Sequence, residues 1–329
     1  MRKSITEPRV SRRTVLSLAL MLPAARAWSA PSPNIEGPLK IVLPFGPGSG
    51  TDIYARLIAE KLGPELGVSV IVENKPGASG IIAAESVART RPDGNTLLFT
   101  TNTTHAANPS MFKSLPYDPV KDYAPISRLG DLTFLLVVGA DSPHQELDDL
   151  IAAARNKPGT VSYGASNSFG TVSGSKLGKI AGVEFLLVPY RSSPQIITDL
   201  LGGQVQFAFI DVAAGAPMLN SGKMRALAVL SNDRFPTLSS VPTMKELGYP
   251  QFDVVAWFGM FAPAGTPDAI VSELNRKLRT ILEDTALRKR GAELGLDIFG
   301  STPEELAQYV KSQVALWKQL TSDAGLTPQ

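Results

Sequence analysis

Seven residues, Gly46-Pro47-Gly48-Ser49-Gly50-Thr51-Asp52, follow the apolar run "IVLPF" and lead into an amphipathic stretch. Glycines let a backbone approach a ligand closely, and a helix start presents free N–H groups with a partial positive charge. The chemistry this predicts is anion binding. The spacing excludes two nucleotide versions of it: a G-x-G-x-x-G fingerprint needs glycine where Thr51 stands, and a P-loop needs a lysine that is absent here. Ser49 and Thr51 add hydroxyl donors. Asp52, near the helix start, reads as a cap or as a complement to the helix dipole.

A second loop of similar design is "YGASNSFGTVSG", Tyr163 to Gly174. Ser166, Asn167, Ser168, Gly170 and Thr171 are small donors, and Phe169 adds an aromatic face. Alone, such a loop reads as a helix-capping Ser/Thr/Gly turn. Two of them in separate halves of the chain favour one shared ligand. Catalytic groups are sparse. There is no cysteine, which removes disulfides, thiolate catalysis and cysteine metal sites. Only two histidines occur. His144 lies in the polar "DSPHQEL". His105, in "TTNTTHAANP" three residues after Asn102, is placed to touch a ligand or to serve the structure. No pair has metal-ligand spacing. "SGSK", Ser173 to Lys176, matches S-x-x-K without its companion motifs, and no nucleophile elbow is present. These features fit a binding protein without catalytic residues, cofactor or metal. An exported α/β hydrolase or transferase using Ser173 and Lys176 is the competing reading.

The elements that must position these loops alternate in type. Apolar runs occur at "LKIVLPF", "VSVIVEN", "NTLLFTT", "TFLLVVGA", "TVSYGAS", "VEFLLVPY", "VQFAFID", "MRALAVLS" and "WFGMFAP". Bounded by Gly, Pro and Asn, they read as buried strands of a parallel sheet. Helical patterns separate most of them. In the first, Ile53, Leu57, Ile58 and Leu62 share one half of the cylinder. The last helix opens at "TPEE", with Thr302 as N-cap and Glu305 closing a capping box, and its stripe is Leu306, Val310, Leu316, Trp317 and Leu320. The fold class is α/β. "TFLLVVGAD" and "MRALAVLSND" break the rhythm and suggest crossovers between two lobes that enclose a ligand cleft.

The first thirty residues form a basic region, the apolar "TVLSLALMLPAA" and small-residue sites ending at Ala27 and Ala30. This is the pattern of a secretory signal peptide over residues 1–30, with a mature start between Trp28 and Ser32. The apolar run is too short for a membrane anchor. "SRRTVLS", around Arg12 and Arg13, resembles a twin-arginine signal. Of 32 Lys+Arg and 30 Asp+Glu, this leader holds six and one, so the remainder carries a net charge of −3. No basic stripe with interleaved aromatics remains, which excludes nucleic acid as the expected partner.

From Leu39 onward the chain resembles the Bug family, the substrate-binding proteins of tripartite tricarboxylate transporters. The resemblance is carried by "IVLPFGPGSGTDIYARLIAEKL", "VIVENKPGASG", "ARTRPDGNTLL", "LPYDPVKDYAPISRLG", "VPYRSSPQIITDLLGGQVQ", "GKMRALAVLS", "VPTMKELG" and "FAPAGTP". It implies a two-lobed periplasmic-binding-protein (Venus flytrap, type II-like) fold closing on a carboxylate, gripped largely by backbone N–H groups. Carried over, the first finger is Phe45, Gly46, Gly48, Ser49, Gly50, Thr51 and Asp52. The second is Ser166, Ser168, Phe169, Gly170 and Thr171 with Ile210 and Asp211, and Asn102 joins the ligand-facing set. Lobe 1 joins 38–136 to 229–329, and lobe 2 is 137–228. The resemblance further implies a periplasmic receptor, expected as a monomer, delivering a small organic acid to a membrane permease of the tripartite tricarboxylate type. A ligand-sensing subunit for a membrane kinase is the alternative role. Ser49 stands where the family usually has Gly, Thr171 where many members have His, and Ile210 where Asp is frequent. Ile210, Thr171 and Phe169 lean the expected ligand toward an aromatic or apolar acid, with Asp211 the residue that would restore an amino-group partner.

Overall fold

The computed structural model describes Ile35 and residues 37–252 and 255–329; the expected leader, with Ala27 and Ala30, lies outside the described residues. Along the chain the strands are β1 (Leu39–Leu43), β2 (Val70–Asn74), β3 (Thr96–Thr101), β4 (Tyr123–Leu132), β5 (Phe134–Gly139), β6 (Ser162–Ala165), β7 (Leu186–Pro189), β8 (Phe207–Asp211), β9 (Met224–Leu230), β10 (Ala256–Pro263) and β11 (Leu296–Asp297). The helices are α1 (Gly50–Leu66), α2 (Ile81–Ala88), α3 (Asn108–Met111), α4 (Leu147–Asn156), α5 (Ser168–Ala181), α6 (Ser193–Leu201), α7 (Val212–Asn220), α8 (Asp268–Leu282), α9 (Thr285–Glu293) and α10 (Pro303–Asp323).

Two sheets result, in the orders β11-β4-β10-β3-β1-β2 and β7-β6-β8-β5-β9. The expected parallel arrangement holds only in part. β1 runs parallel to β2 and β3, and β6 parallel to β7 and β8. β10 is antiparallel to β3 and β4, and β5 is antiparallel to β8 and β9. The reversed strands are those beside the passages between sheets. The chain leaves the first sheet at Thr133, between β4 and β5, and returns to it at Ala256 after β9. Residues 136 and 228, expected as exchange points, lie inside β5 and β9, paired in one ladder.

All nine apolar runs form strands. β4, "YAPISRLGDL", has no apolar run, because Pro125, Arg128, Gly130 and Asp131 interrupt it. Its pairing with β10 absorbs these residues through two register shifts. Pro125 lies beyond the reach of β11, which pairs only with Asp131 and Leu132, so its missing N–H breaks no ladder bond there. Gly130, at φ +126°, lets β11 approach: a side chain there would run into the Asp297 carbonyl.

Helix ends follow their sequence signals. Thr302 and Glu305 complete the capping box of α10. Leu316, expected in its buried stripe, is 45% exposed, and Gln313 is buried instead, accepting from Trp257 Nε1 at 3.2 Å. In α1 the buried residues include Tyr54, Ala55, Ile58 and Leu62, while Ile53 and Leu57 are only partly covered.

Candidate anion site between the two sheets

Four helices begin at one small cavity. Ser49 caps α1, its Oγ accepting from Asp52 N at 3.3 Å. Asn167 caps α5, its Oδ1 accepting from Gly170 N at 2.9 Å. Ser192 occupies the cap position of α6, and Asp211 caps α7 by accepting from Ala214 N at 2.8 Å. Cavity-lining residues at these starts are Ser49 and Thr51, Asn167 and Phe169, Ser193, and Asp211. Each helix directs unbonded N–H groups and a partial positive charge toward its start, so their convergence favours an anion.

The rest of the lining is Thr101, Asn102 and Thr103 after β3, Ser166, and an apolar wall of Phe45, Leu132, Phe134 and Ala256. Phe134 stacks on Phe169 with centroids 4.3 Å apart. The space enclosed is about 20 Å³, enough for about one water. The cleft is therefore shut in this conformation. Bonds across it hold it so: Asn102 Nδ2 donates to Ser168 Oγ at 3.2 Å, Thr103 Oγ1 lies 3.0 Å from the same hydroxyl, and Gly50 N donates to Asp211.

The first finger is braced from behind by Asp52. Its carboxylate accepts from Gly48 N (3.0 Å), Arg56 Nε (3.1 Å) and Asn74 Nδ2 (2.9 Å), and Asn74 Nδ2 also reaches the Phe45 carbonyl at 2.9 Å. Burial pushes this carboxyl up, but the Arg56, Gly48 and Asn74 hydrogen bonds outweigh burial and hold it below its ordinary value. Asp211 shows the opposite balance. Burial raises its pKa despite the Ala214, Ser193 and Gly50 donors around it, the Ser193 hydroxyl donating at 3.1 Å.

Of the residues expected to face a ligand, Phe45, Ser49, Thr51, Asn102, Ser166, Phe169 and Asp211 line the cavity. Gly46 and Gly48 press on the start of α6 and Gly50 on Asp211 at the end of β8: a Cβ at Gly46 would stand 3.0 Å from Ser192 Cβ, and one at Gly48 3.3 Å from Pro194 Cγ. Ser168 is spent on the cross-cleft bonds, and Gly170 on the α5 cap. Asp52, Thr171 and Ile210 do not line the cavity. Thr171 Oγ1 donates to Asn167 O at 3.1 Å within its own helix turn. Ile210 alternates with Asp211 along β8, so it faces the opposite side and packs with Leu135 and Val137. The apolar wall expected from Ile210 is supplied by Phe134 and Leu132 instead.

His105 is fully buried in the first-sheet core, stacked on Phe261 at 4.0 Å, and burial lowers its pKa to about 3. Ser173 and Lys176 do not line the cavity either, and the Lys176 ammonium donates to the Gln251 carbonyl. Among the residues sequence reasoning passed over, Ser193 carried a signal: "SSP" before an apolar periodic stretch marks a helix start. Phe134 and Leu132 carried none, since their position depends on where the chain changes sheets.

Two α/β lobes on mixed sheets, meeting at a cleft faced by helix starts, constitute the periplasmic-binding-protein fold. A model of the tripartite tricarboxylate transporter family receptor, TctC, matches residues 54–326. Protein BugT of Bordetella pertussis is 34% identical over 292 residues, covering 88% of this chain and 89% of that protein. Among solved structures, periplasmic binding protein BugD superposes with a TM-score of 0.85 at 34% identity, covering 89% of this chain and 99% of that one. R. palustris Rpa4515 with adipate gives 0.86 at 34% identity, covering 90% and 99%. The chain belongs to the tripartite tricarboxylate transporter receptor family.

Proposed function

We propose that this protein is a periplasmic receptor that captures a small organic carboxylate and presents it to a membrane permease of the tripartite tricarboxylate type. The observation that carries this reading is the convergence of four helix starts on one cleft cavity. A carboxylate there takes N–H and hydroxyl donors from both lobes and so joins them. The structure of Rpa4515 with adipate, a family relative at 34% identity, supports the acid class. The periplasmic location rests on the family and on the leader pattern of residues 1–30. A monomer suffices, because both fingers come from one chain, and no reaction is assigned, since Ser173 and Lys176 lie off the cavity.

The lobes are, in this reading, 38–132 with 256–329 and 134–230, moving about Thr133 and the return segment. A cavity of about 20 Å³ admits no organic acid, so entry requires the lobes to part. The ligand body is apolar or aromatic, in contact with Phe45, Phe134, Phe169 and Leu132. Asp211 favours this over an amino acid, because its oxygens already accept from Ala214, Ser193 and Gly50. It does not require a ligand ammonium to complete its bonding.

Calorimetric titration of the mature protein with benzoate, hexanoate, citrate and glutamate, on wild type and Asp211→Asn, tests the reading. Benzoate or hexanoate should bind more tightly than glutamate, and Asp211→Asn should leave them bound or tighten them by removing a like charge. Tight glutamate binding that vanishes in Asp211→Asn would replace the apolar-body reading with an amino-acid one. Binding of none of the acids would remove the carboxylate assignment.

A further inference from the structure

A ligand carboxylate at the helix starts meets a second carboxyl there. The space among them is about 20 Å³, and Asp211, 3% exposed, lines it. A ligand oxygen held in so small a space lies against the Asp211 carboxyl. Two carboxylates sharing one buried site do not both stay ionised easily, because each strengthens the other's hold on a proton.

The bonds around Asp211 show where that proton goes. Oδ1 accepts from the Ala214 backbone N–H at 2.8 Å, a donor fixed by α7 and unable to reverse. Oδ2 faces the Ser193 hydroxyl at 3.1 Å, and a hydroxyl turns either to donate or to accept. While Asp211 is ionised, Ser193 gives its hydrogen to Oδ2. With a proton from solvent on Oδ2, this bond reverses and Oδ2–H donates to Ser193 Oγ. The Ser193 hydrogen, at the cavity lining, is then released to a ligand oxygen. One proton both removes a like charge and adds a donor.

Charged neighbours are few and already engaged. β5, β6, α7 and the rest of β8 carry no charged side chain. α1 brings Asp52, paired with Arg56, and α6 brings Asp199, bonded to Tyr190 Oη. The turn before α6 brings exposed Arg191, and α5 brings Lys179 and Lys176, the latter bonded to the Gln251 carbonyl. Near the passages between sheets, Asp131 pairs with Arg128 and Glu293 with Arg290. Burial is the largest influence on Asp211, and the groups that oppose it are backbone N–H groups and the Ser193 hydroxyl.

We propose that Asp211 binds a proton together with the ligand, so that the site takes a carboxylate and a hydrogen ion as a pair. The inference rests on the carboxylate reading above and deepens it. Burial already raises the Asp211 pKa in the free protein, and a carboxylate beside it raises it further. Between those two values, binding takes up a proton. Affinity is therefore highest at low pH, falls through that interval by up to about tenfold per pH unit, and levels off above it.

Calorimetric titration with benzoate and with hexanoate, from about pH 5, where these acids stay ionised, to about pH 8, tests it on the mature wild type and Asp211→Asn. The amide copies the protonated state: its oxygen caps α7 and its nitrogen donates to Ser193 Oγ. Wild type should weaken about tenfold or more as pH rises across this range. Its binding heat should also differ between phosphate and Tris buffers, in proportion to the proton taken up. Asp211→Asn should keep the low-pH wild-type affinity throughout and lose the buffer dependence. A flat wild-type profile with equal heats in both buffers, or a wild-type slope retained in Asp211→Asn, would overturn proton uptake and leave the carboxylate reading intact. Binding of neither acid at any pH would overturn it too, and the citrate and glutamate titrations then decide whether the carboxylate reading survives.

Discussion

A missing Cβ at Gly50 decides whether the first finger reaches the second lobe. An added methyl group there would stand 2.8 Å from Asp211 Cγ, closer than real contacts allow. Gly50→Ala should therefore prevent the closed arrangement and lower carboxylate affinity at least about tenfold by calorimetry. Ser49→Ala removes the α1 cap and a hydroxyl, with about 1 kcal/mol of stability at stake, but leaves the cross-cleft bond possible and should cost less affinity. Equal losses from the two would mean that side-chain donors, not backbone approach, dominate capture. The glycine spacing was legible in the sequence because backbone approach depends on what is absent from those positions. The second finger was less so. Every residue of β8 is buried, so "FAFID" shows no polar alternation to tell which face meets the cleft. Ile210 and Asp211 are separated by one residue step, and only the sheet shows that Asp211 is the one turned toward the cavity.

At the scale of elements, the segment after β3 does two jobs within one turn. Thr103–Ala107 is π-helical, a form that recurs near functional sites. It delivers Thr103 to the cleft and His105 to the core between Tyr123 and Phe261. Because His105 has a folded pKa of about 3 against an ordinary 6.5, the unfolded chain binds its proton first as pH falls. Its neutral burial is without effect on stability above about pH 6.5, and below that, down to about 3, it removes about 1.4 kcal/mol per pH unit. Denaturant unfolding of wild type and His105→Gln across this window should show a shallower acid loss in the variant, and parallel slopes would contradict the assignment. The strands illustrate what the sequence conceals at this scale. Nine were visible as apolar runs, while β4 was hidden because Pro125 and Gly130 occupy positions excused by a short edge partner and a close strand approach. Sheet direction was hidden for a different reason: a fully buried strand reads the same whether its neighbour runs parallel or antiparallel.

For the whole molecule, the two passages between sheets set how the lobes can move. Thr133 donates its N–H to Gly295 O at 2.9 Å and accepts from Val212 N at 3.1 Å, so a single residue ties the passage to both sides. The long return segment between Leu230 and Ala256 is tethered through Met244, whose N–H donates to Val229 O at 3.1 Å, and through the Lys176 bond to Gln251. If the lobes part as proposed, these tethers are where the chain must bend, since both lie outside the strand ladders. In the proposed function a carboxylate between the helix starts draws the lobes from an open to a closed form. Small-angle X-ray scattering of the mature protein, free and saturated with an acid shown to bind by calorimetry, measures this most directly. The radius of gyration should fall with ligand, and only the bound sample should give a scattering curve close to that of the closed structure. An unchanged radius of gyration in a sample with the acid bound would contradict it.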